Sequence, residues 1–374
     1  MKALARARGA AAVRIASAQP DALTRERMRA AFARGDLATW PYGEAYAAAA
    51  SDPATLLPGA RSVVCIAIPY ATPVPRERRG YGRVSAYAWS ADYHRAMRAQ
   101  LAAIAAEIDA LAGGAVTRVV CDTAPLAERA FAARAGLGWI GKHTSLIVKG
   151  LGSAVFLGEI VTTLALDADA PLRTSCGSCT RCISACPTSA LRSDGTIDAT
   201  RCISDLTQRR DAIPTALRPF VGTWVWGCDL CNDACPPSQR AGRAGDARFS
   251  PLEAQTAAPP LGALLALRDA AFRRWRRTAM GWRGAAVLRR NAAVAMGNAL
   301  DRADVPALAE ALRDDASALV RGHAAWALGR IASPRALDAL RAAQAGERDP
   351  DVIEEILAAL EPWRTAAALH HRTP

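Results

Sequence analysis

The hydrophobic pattern of the first 170 residues mixes two periods. Continuous apolar runs predict buried strands over residues 62–68 (SVVCIAI), 116–120, 145–148 and 154–164. Apolar positions at helical spacing predict helices over residues 21–34, 92–111 and 125–134. Asp92 is the predicted N-cap of the second helix, and Gly136 is predicted to end the third. Strands that alternate with helices in this way indicate an α/β sheet domain.

Residues 260–362 are rich in alanine and leucine at helical spacing, and they contain an internal repeat. The segment RRNAAVAMGNA at 289–299 aligns with RGHAAWALGRI at 321–331, which lies 32 residues later. A third helical stretch follows at residues 351–360. Paired helices at this spacing predict a short HEAT-like solenoid. The alternative is a coincidental similarity between alanine-rich helices.

Between these two regions, the cysteines indicate chemistry as well as packing. The chain has ten cysteines, and eight of them fall between residues 176 and 235. The first run has the spacing C-x2-C-x2-C-x3-C-P, which is the arrangement of bacterial ferredoxins. The second run is an altered version with a long insertion after its first cysteine. Such clustering in a cytoplasmic protein indicates bound metal rather than disulfides.

In ferredoxins, the cysteine that precedes proline binds the other cluster of the pair. The same logic assigns one 4Fe–4S cluster to Cys176, Cys179, Cys182 and Cys235. It assigns the other cluster to Cys186, Cys202, Cys228 and Cys231. The alternative is a pair of zinc sites, because C-x2-C pairs also bind zinc. Cys65 and Cys121 match neither run and are predicted to be buried core residues.

Composition places the chain among globular proteins. It has 374 residues, 51% hydrophobic and 22% charged, which excludes a disordered chain and leaves room for roughly two to three domains. No clean apolar run reaches the about 20 residues of a membrane span. Arginines interrupt the basic N-terminus, which therefore lacks the apolar region of a signal peptide. We expect a cytoplasmic monomer with no membrane partner.

The formal net charge is +12, and nearly all of the positive charge comes from arginine. Eight arginines crowd residues 268–290, where Asp269 is the only acidic residue and where Trp275 and Trp282 are interleaved. A basic stripe with aromatic residues suits contact with an RNA backbone and stacking on bases. The alternative is a solvated helix face with two core tryptophans. The arginines that we select as RNA-binding residues are Arg273, Arg274, Arg276 and Arg277.

Asp122 follows a predicted strand and precedes Pro125, so its carboxyl group lies at the end of a strand. In α/β sheets, ligand crevices form at such ends. Glycines are dense in the next stretch, residues 136–158, and allow close backbone approach to a large ligand. The alternatives are that Asp122 is a helix cap and that the glycines only form turns.

Taken together, these motifs resemble those of the epoxyqueuosine reductase family of tRNA-modifying enzymes. The motifs are LLPGARSVV (56–64), DYH (92–94), DTAPLAER (122–129), AGLGWIGKHT (135–144), GSAVFLGEI (152–160), both cysteine runs with RCIS and GCDLC, and the HEAT-like tail. The similarity covers most of the chain in the family's order. It departs at His143, where the family usually has asparagine.

The resemblance implies a cobalamin enzyme, related to reductive dehalogenases, with two 4Fe–4S clusters. It implies reduction of epoxyqueuosine to queuosine at the tRNA wobble position, the final step of queuosine biosynthesis. Asp122 matches the family's proton donor, and a carboxyl beside an apolar corrin is expected to have a raised pKa. His94 is either a residue of the corrin pocket or a surface histidine. The residues in the motifs expected around cobalamin are Tyr87, Lys142, Thr144, Ser145, Ser153, Phe156 and Gly158.

The expected fold is an α/β cobalamin-binding domain with a ferredoxin-like two-cluster segment and an all-α HEAT-like C-terminal domain. The predicted boundaries are residues 1–170, 171–250 and 251–374. The expected partners are tRNA and an external electron donor. One alternative is a related cobalamin-dependent reductase of a small molecule, similar to a dehalogenase. Another is a ferredoxin-type electron carrier, although a pure carrier has no need of a proton donor.

Overall fold

The chain packs as two units whose segments alternate along the sequence. The computed structural model describes residues 1–70, 78–114, 116–242 and 245–370. The first unit comprises Met1–Val74, Ser90–Cys202 and Asp229–Ser250, and the second comprises Pro75–Trp89, Ile203–Cys228 and Pro251–Pro374. The three-part division by function that the sequence predicts stays a prediction.

The elements are numbered in chain order. The strands are β1 (Ala12–Ser17), β2 (Ser62–Pro69), β3 (Arg83–Val84), β4 (Thr117–Val120), β5 (Gly138–Ile140), β6 (Leu146–Val148), β7 (Val155–Thr162) and β8 (Trp224–Trp226). The helices to residue 241 are α1 (Lys2–Ala7), α2 (Ala22–Ala33), α3 (Glu44–Ala50), α4 (Tyr93–Ala112), α5 (Glu128–Arg134), α6 (Arg181–Ser184), α7 (Ile203–Gln208), α8 (Arg218–Val221), α9 (Leu230–Asp233) and α10 (Pro236–Ala241).

The helices of the C-terminal region are α11 (Ala254–Ala257), α12 (Leu261–Leu265), α13 (Asp269–Trp275), α14 (Ala285–Ala299), α15 (Val305–Asp314), α16 (Ala318–Ile331), α17 (Pro334–Gly346) and α18 (Pro350–His370). Short 3-10 turns lie at Pro53–Thr55, Ala86–Ala88, Ala247–Phe249, Gly281–Arg283 and Arg302–Asp304.

The first unit is built on a four-stranded sheet with the order β1-β2-β7-β4. Every neighbouring pair in this sheet is antiparallel. The predicted mixture of strands and helices is present, but the crevice rule invoked for Asp122 belongs to parallel sheets and does not apply here. The strand β1 was not predicted, because Arg14 interrupts its apolar pattern.

Two helices cover the two faces of this sheet. The helix α4 buries a stripe at helical spacing, Met97, Leu101, Ile104 and Ile108, and it packs on β4 and β7. The helix α5 packs on the opposite side against β1, β2 and β7 through Phe131 and Ala132. The sheet is therefore sandwiched between a long helix and a short one.

Local sequence signals predicted the bounds of α4 accurately and the start of α5 less accurately. The Asp92 side chain accepts a hydrogen bond from the His94 backbone N–H, so Asp92 is the predicted N-cap of α4. The predicted stop at Gly136 is also confirmed, since this residue has a φ of +71°. However, α5 begins at Glu128, because residues 123–127 form turns instead of the predicted first helical turn.

The second unit contains the predicted repeat, and each of its two copies has an arginine–carboxylate ion pair at the equivalent position. Arg289 at α14 binds the Asp315 carboxylate, with Nε to Oδ2 at 2.7 Å. Arg321 at α16, which is the aligned residue, binds Glu347 with Nε to Oε2 at 2.7 Å. Both carboxylates lie in the loop after the next helix, and both pairs are largely buried. The pairs therefore fix the register between successive repeats.

Two aligned glycines set the spacing of the repeat helices. A Cβ added at Gly297 in α14 would lie 2.7 Å from the Trp326 ring and 2.9 Å from Ala327 Cα. A Cβ at Gly329 in α16 would lie 2.7 Å from Ala359 Cβ and 3.0 Å from Ala359 Cα. The helices α14, α16 and α18 approach so closely that even a methyl group at either position displaces backbone.

A buried arginine organises the segment that leads to Cys228. The Arg290 side chain is fully buried, and its guanidinium donates to the backbone carbonyls of Leu206, Arg209 and Asp211 at 2.7–3.1 Å. Burial lowers the pKa of Arg290 to about 9, since desolvation disfavours the charged form. The next residue, Asn291, donates to the carbonyls of Thr207 and Val225. Backbone groups without regular partners are thus satisfied by side chains of α14.

Among the described residues, no helix is both long enough and apolar enough to cross a membrane.

Substitution of the glycine at the α16–α18 contact provides a test of this close packing. We expect Gly329→Ala to lower the free energy of unfolding by about 1–3 kcal/mol, the usual cost of overpacking. The matched control is Gly322→Ala in the same helix, where a new Cβ would lie 3.5 Å from the flexible Glu355 side chain. The control should be neutral, or more stable by up to about 1 kcal/mol, because alanine favours helix. Denaturant unfolding followed by circular dichroism measures both, and equal effects would contradict the packing argument.

Candidate active site and cluster-binding segment

Asp122 projects from the end of β4 on a sharply turned backbone. Its φ is +59°, a left-handed conformation that aspartate tolerates better than most residues. The turn continues with a hydrogen bond from the Thr123 N–H to the Cys121 carbonyl at 2.7 Å. The Asp122 side chain is 58% exposed, so its carboxyl group is accessible to a ligand.

His94 joins Asp122 to the start of α4. Its Nε2 lies 3.0 Å from Asp122 Oδ2, and its Nδ1 lies 2.6 Å from Asp92 Oδ1. Burial opposes protonation of the imidazole, but the hydrogen bonds with the two carboxylates outweigh it and raise the pKa of His94 to about 9. The ring therefore bridges two carboxylates, and the choice between a residue of the corrin pocket and a surface histidine stays open.

The raised pKa expected for Asp122 beside a corrin stays a prediction, and in the chain alone the pKa of this carboxyl is shifted the other way. The hydrogen bond with His94 lowers the pKa of the Asp122 carboxyl below its ordinary value, and it outweighs the opposing effect of burial. The proton that Asp122 and His94 share therefore lies on the imidazole. The expectation from the sequence took account of an apolar neighbour of Asp122 but not of His94.

Two further glutamates lie behind Asp122. The Asp122 backbone N–H donates to Glu128 Oε1 at 2.7 Å. Glu159 lies in the middle of β7 and is fully buried, and its carboxyl group interacts electrostatically with that of Glu128. Burial, followed by the proximity of Glu128, raises the pKa of Glu159 well above its ordinary value. Burial raises the pKa of Glu128 to about 7.

The loop that carries the predicted cobalamin residues packs against the cysteine segment. Lys142 Nζ donates to the Gly177 carbonyl at 2.9 Å. The Ser153 N–H donates to Ser238 Oγ at 3.0 Å. The Thr144 carbonyl accepts from Arg129 Nη1 at 2.6 Å, which connects the loop to the residues that follow Asp122. Asp122 and the first cysteine run are therefore joined through one loop.

His143 has an internal role in this loop. It is buried, which lowers its pKa to about 4. Its Nδ1 accepts from the Ser145 N–H at 3.2 Å, and its Nε2 lies 3.2 Å from Ser153 Oγ. Asparagine, the family's usual residue, also has an acceptor able to receive the Ser145 N–H. His143 thus acts as a neutral structural residue of the loop.

Phe156 and Gly158 lie on the face of β7 that contacts α4. The Phe156 ring stacks on Tyr93 with a centroid distance of 4.1 Å. A Cβ at Gly158 would lie 2.5 Å from Leu101 Cδ1, and one at Gly152 would lie 2.6 Å from Ser238 Cα. Close approach at these two glycines is therefore to protein. Their proposed relation to a large ligand stays a prediction.

Tyr87 lies in the second unit, in the 3-10 turn Ala86–Ala88. Its hydroxyl accepts a hydrogen bond from Trp226 Nε1 at 2.9 Å. Trp226 is fully buried and lies two residues before Cys228. Tyr87 thus packs beside the strand that leads into the second cysteine run.

Several cysteines of the two runs lie close enough to affect one another's ionisation. Burial raises the pKa of the Cys182 thiol, and the proximity of Cys176 and Cys235 adds to the effect. Burial raises the pKa of Cys231 to about 12, with further contributions from Cys202 and from Cys186. The Cys186 sulfur also accepts from the Ala190 N–H at 3.3 Å. Within residues 1–70, 78–114, 116–242 and 245–370, no three His, Cys, Asp or Glu side chains form a group that could hold a single metal ion.

The arginine stripe separates into surface and internal residues. The four arginines selected as RNA-binding residues, Arg273, Arg274, Arg276 and Arg277, are exposed on and just after α13. Arg289 and Arg290 are internal, as described above. Trp275 is buried, as the core alternative predicts, whereas Trp282 is half exposed with the Arg283 guanidinium 3.6 Å from its ring centroid.

The sequence analysis did not identify Glu128 and Glu159 as functional residues, although both lie in quoted motifs. A usable signal exists for Glu159, since it is the only charged residue in the buried strand VFLGEIVT. A carboxyl group in such a strand requires a partner. Glu128 carries no comparable signal, because a glutamate in the first turn of a helix is ordinary.

Three family models match separate parts of the chain. Residues 51–123 match epoxyqueuosine reductase QueG, DUF1730. Residues 175–238 match a 4Fe–4S double cluster binding domain, and residues 284–361 match HEAT repeats. Fold and comparisons therefore define an iron–sulfur protein with a C-terminal HEAT-repeat region, and the predicted iron–sulfur and HEAT assignments are confirmed.

Similar proteins identify the family. An epoxyqueuosine reductase of Bacillus cereus is 34% identical over 317 residues, which is 83% of each chain. One of Xanthomonas campestris is 42% identical over 75% of this chain and 81% of its own. A crystal structure of an epoxyqueuosine reductase matches with a TM-score of 0.90 and 31% identity over 96% of both chains. Another, with an epoxyqueuosine-modified tRNA-Tyr stem loop, matches with a TM-score of 0.89, 31% identity and the same coverage. The chain belongs to the epoxyqueuosine reductase family.

The bridge made by His94 predicts a pH dependence of stability. Because the folded pKa of about 9 lies above the ordinary 6.5, the stabilisation is complete below pH 6.5 and is lost as the pH rises through 9. We expect wild type to exceed His94→Gln in melting temperature at pH 6, and the difference to shrink by pH 10. Thermal unfolding of both proteins at the two pH values measures it. A difference that does not change with pH would contradict a protonated bridge.

Proposed function

We propose that this chain reduces epoxyqueuosine to queuosine at the wobble position of tRNA, the final step of queuosine biosynthesis. The observation that carries the proposal is the accessible Asp122 carboxyl group, hydrogen-bonded to His94 at 3.0 Å within the family's motif. Removal of an epoxide oxygen leaves negative charge on that oxygen, which requires a nearby acid. The similarity to a structure that contains an epoxyqueuosine-modified stem loop supports the same substrate.

The Asp122–His94 pair can deliver that proton. In the free chain the proton lies on His94 Nε2, and Asp122 is ionised. A substrate that excludes water disfavours the ionised pair, and transfer of the proton to Asp122 Oδ2 makes both groups neutral. Asp122 then donates to the leaving oxygen the first of the two protons that, with two electrons from the external donor, release it as water, and the second proton comes from solvent. Asp92 keeps the imidazole oriented through its contact with Nδ1.

The two 4Fe–4S clusters supply electrons from an external donor. We assign one cluster to Cys176, Cys179, Cys182 and Cys235, and the other to Cys186, Cys202, Cys228 and Cys231. The proximity of Cys182 to Cys176 and Cys235, and of Cys231 to Cys202 and Cys186, supports this assignment, and the smaller effect of Cys182 on Cys231 is consistent with two adjacent clusters. The hydrogen bond from the Ala190 N–H to the Cys186 sulfur is of the kind that tunes a cluster's potential.

The residues proposed to hold cobalamin are Tyr87, Lys142, Thr144, Ser145, Ser153, Phe156 and Gly158. The fit rests on the loop 141–153, which contacts both the cysteine segment through Lys142 and the residues after Asp122 through Thr144. Cobalamin, when bound, supplies a redox-active cobalt that the side chains cannot replace. The protein's own contribution is to orient the ligand beside Asp122 and to exclude water.

The exposed arginines of α13 are proposed to contact the tRNA backbone. A small-molecule reductase, the alternative enzyme, has no need of such a surface. The cytoplasmic location and the monomeric state stay predictions from the sequence.

Replacement of the acid is the direct test of the function. Asp122→Asn keeps size and polarity but cannot donate an acidic proton, so turnover should fall by roughly two to four decades. The enzyme is purified anaerobically, loaded with cobalamin and given epoxyqueuosine-containing tRNA, and its nucleosides are analysed by mass spectrometry. Iron content and tRNA affinity should match wild type. Wild-type turnover in this variant would move the proton donor elsewhere, with His94 as the first candidate.

The arginine surface predicts a salt effect. Changing Arg273, Arg274, Arg276 and Arg277 to Gln should weaken tRNA binding and reduce the slope of log affinity against log salt by about 0.7–0.9 for each phosphate that is no longer neutralised. The matched control changes four other exposed arginines, Arg302, Arg335, Arg341 and Arg348, so that both variants lose the same charge. The control should keep the wild-type slope. If both variants behave alike, general charge rather than this surface binds the tRNA.

A further inference from the structure

The carboxyl group of Glu159 is buried where an ionised carboxylate is costly. Glu159 is 0% exposed in the central part of β7, opposite Cys65 of β2 and Val120 of β4. Residues directly opposite one another in an antiparallel sheet share a face, so Glu159 lies on the α5 face together with Cys65. That face is otherwise an apolar core of Val63, Phe131 and Val161.

Glu128 is the partner that makes this burial tolerable. No N–H or O–H group of the described residues donates to either Glu159 oxygen, and the ionisable group that interacts with the Glu159 carboxyl is that of Glu128. Two carboxyl groups in contact cannot both be ionised in such surroundings. They share one proton, and Glu159 holds it because it is the more deeply buried of the two. Glu159 is then the donor and Glu128 the acceptor.

The second hydrogen bond of Glu128 is to the backbone of Asp122. The Asp122 N–H donates to Glu128 Oε1 at 2.7 Å, across a turn of six residues. This bond holds Asp122 at its φ of +59°, a conformation that aspartate adopts only with local support. Glu128 thus accepts the inferred hydrogen bond from Glu159 of β7 and a second hydrogen bond from the backbone N–H of Asp122, the proposed acid.

We propose that Glu128 and Glu159 are positioning residues that hold the Asp122 carboxyl in its reactive place. The protonated Glu159 fixes the Glu128 carboxylate, and Glu128 fixes the Asp122 backbone. The series of contacts from Glu159 of β7 through Glu128 to the Asp122 backbone includes no fully exposed side chain. The sheet therefore determines where the proton donor lies. The inference rests on the proposed function, in which Asp122 is the acid.

A double-mutant cycle separates positioning from a general structural role. Glu128→Ala should lower kcat roughly ten- to a hundredfold, as expected from loss of a hydrogen bond to a charged group, while KM for tRNA stays near wild type. In the Asp122→Asn background the same change should have no further effect, because Glu128 acts only through Asp122. Glu26→Ala, an exposed glutamate on α2, is the control and should keep wild-type kcat.

The buried donor is tested at Glu159. Glu159→Gln keeps an N–H donor toward Glu128, whereas Glu159→Leu removes it, so the Gln variant should retain more turnover than the Leu variant. If Glu128→Ala gives too little folded protein, the comparison of Glu159→Gln with Glu159→Leu tests the proposal in its place. In cofactor-free wild type at neutral pH, infrared spectroscopy should show the carbonyl stretch of a protonated carboxylic acid, and Glu159→Gln should lose it.

The outcomes distinguish this proposal from the proposed function. If Asp122→Asn keeps wild-type turnover, the assignment of the acid fails, and the infrared result still reports on the buried proton. If Asp122→Asn is impaired but Glu128→Ala is not, the positioning role alone is overturned. Effects of Glu128→Ala and Asp122→Asn that multiply, or equal turnover in the two Glu159 variants, would also overturn it.

Discussion

The second unit depends on one buried guanidinium. Arg290 donates to three backbone carbonyls of residues 206–211, and Asn291 donates to the carbonyls of Thr207 and of Val225 in β8. Hydrogen bonds from a charged donor contribute about 1.5–3 kcal/mol each, and loss of the donor would leave the carbonyls buried without partners. The segment that leads to Cys228 has only short elements of its own, so its shape is set by α14. The helical repeat therefore determines the conformation of the segment that carries Cys228, a proposed cluster ligand.

Regular features of the fold were predictable because their causes are local. The N-cap at Asp92, the stop at Gly136 and the 32-residue period follow from neighbouring residues or from direct repetition. The antiparallel order of the sheet was not predictable, because it depends on pairings between distant strands such as β2 and β7. The strand β1 was not predicted because Arg14 interrupts its apolar pattern, and its pairing with β2 is also a contact between distant segments.

The sequence indicates which residues are candidates for the site, but it does not indicate the electrostatics among them. Motifs placed Asp122 and the cysteines, because spacing along the chain is preserved in such motifs. The direction of the Asp122 pKa in the chain alone was not predictable, because it is set by His94, which is 28 residues away in sequence and 3.0 Å away in space. The partnership of Glu128 with Glu159 likewise exists only after β7 and α5 have packed. Charge interactions of this kind follow from tertiary structure and cannot be deduced from either segment alone.

The carboxyl pair beneath Asp122 also links folding of the sheet to the solvent's acidity. In the unfolded chain both glutamates ionise near their ordinary pKa, whereas the folded pKa of Glu159 is far higher and that of Glu128 is about 7. Folding at neutral pH is therefore accompanied by uptake of a proton from solution. By linkage, the pair favours the folded sheet at low pH and opposes it progressively as the pH rises. Burial of Glu159, the proposed positioning residue, therefore couples the folding of the first unit to the binding of a proton.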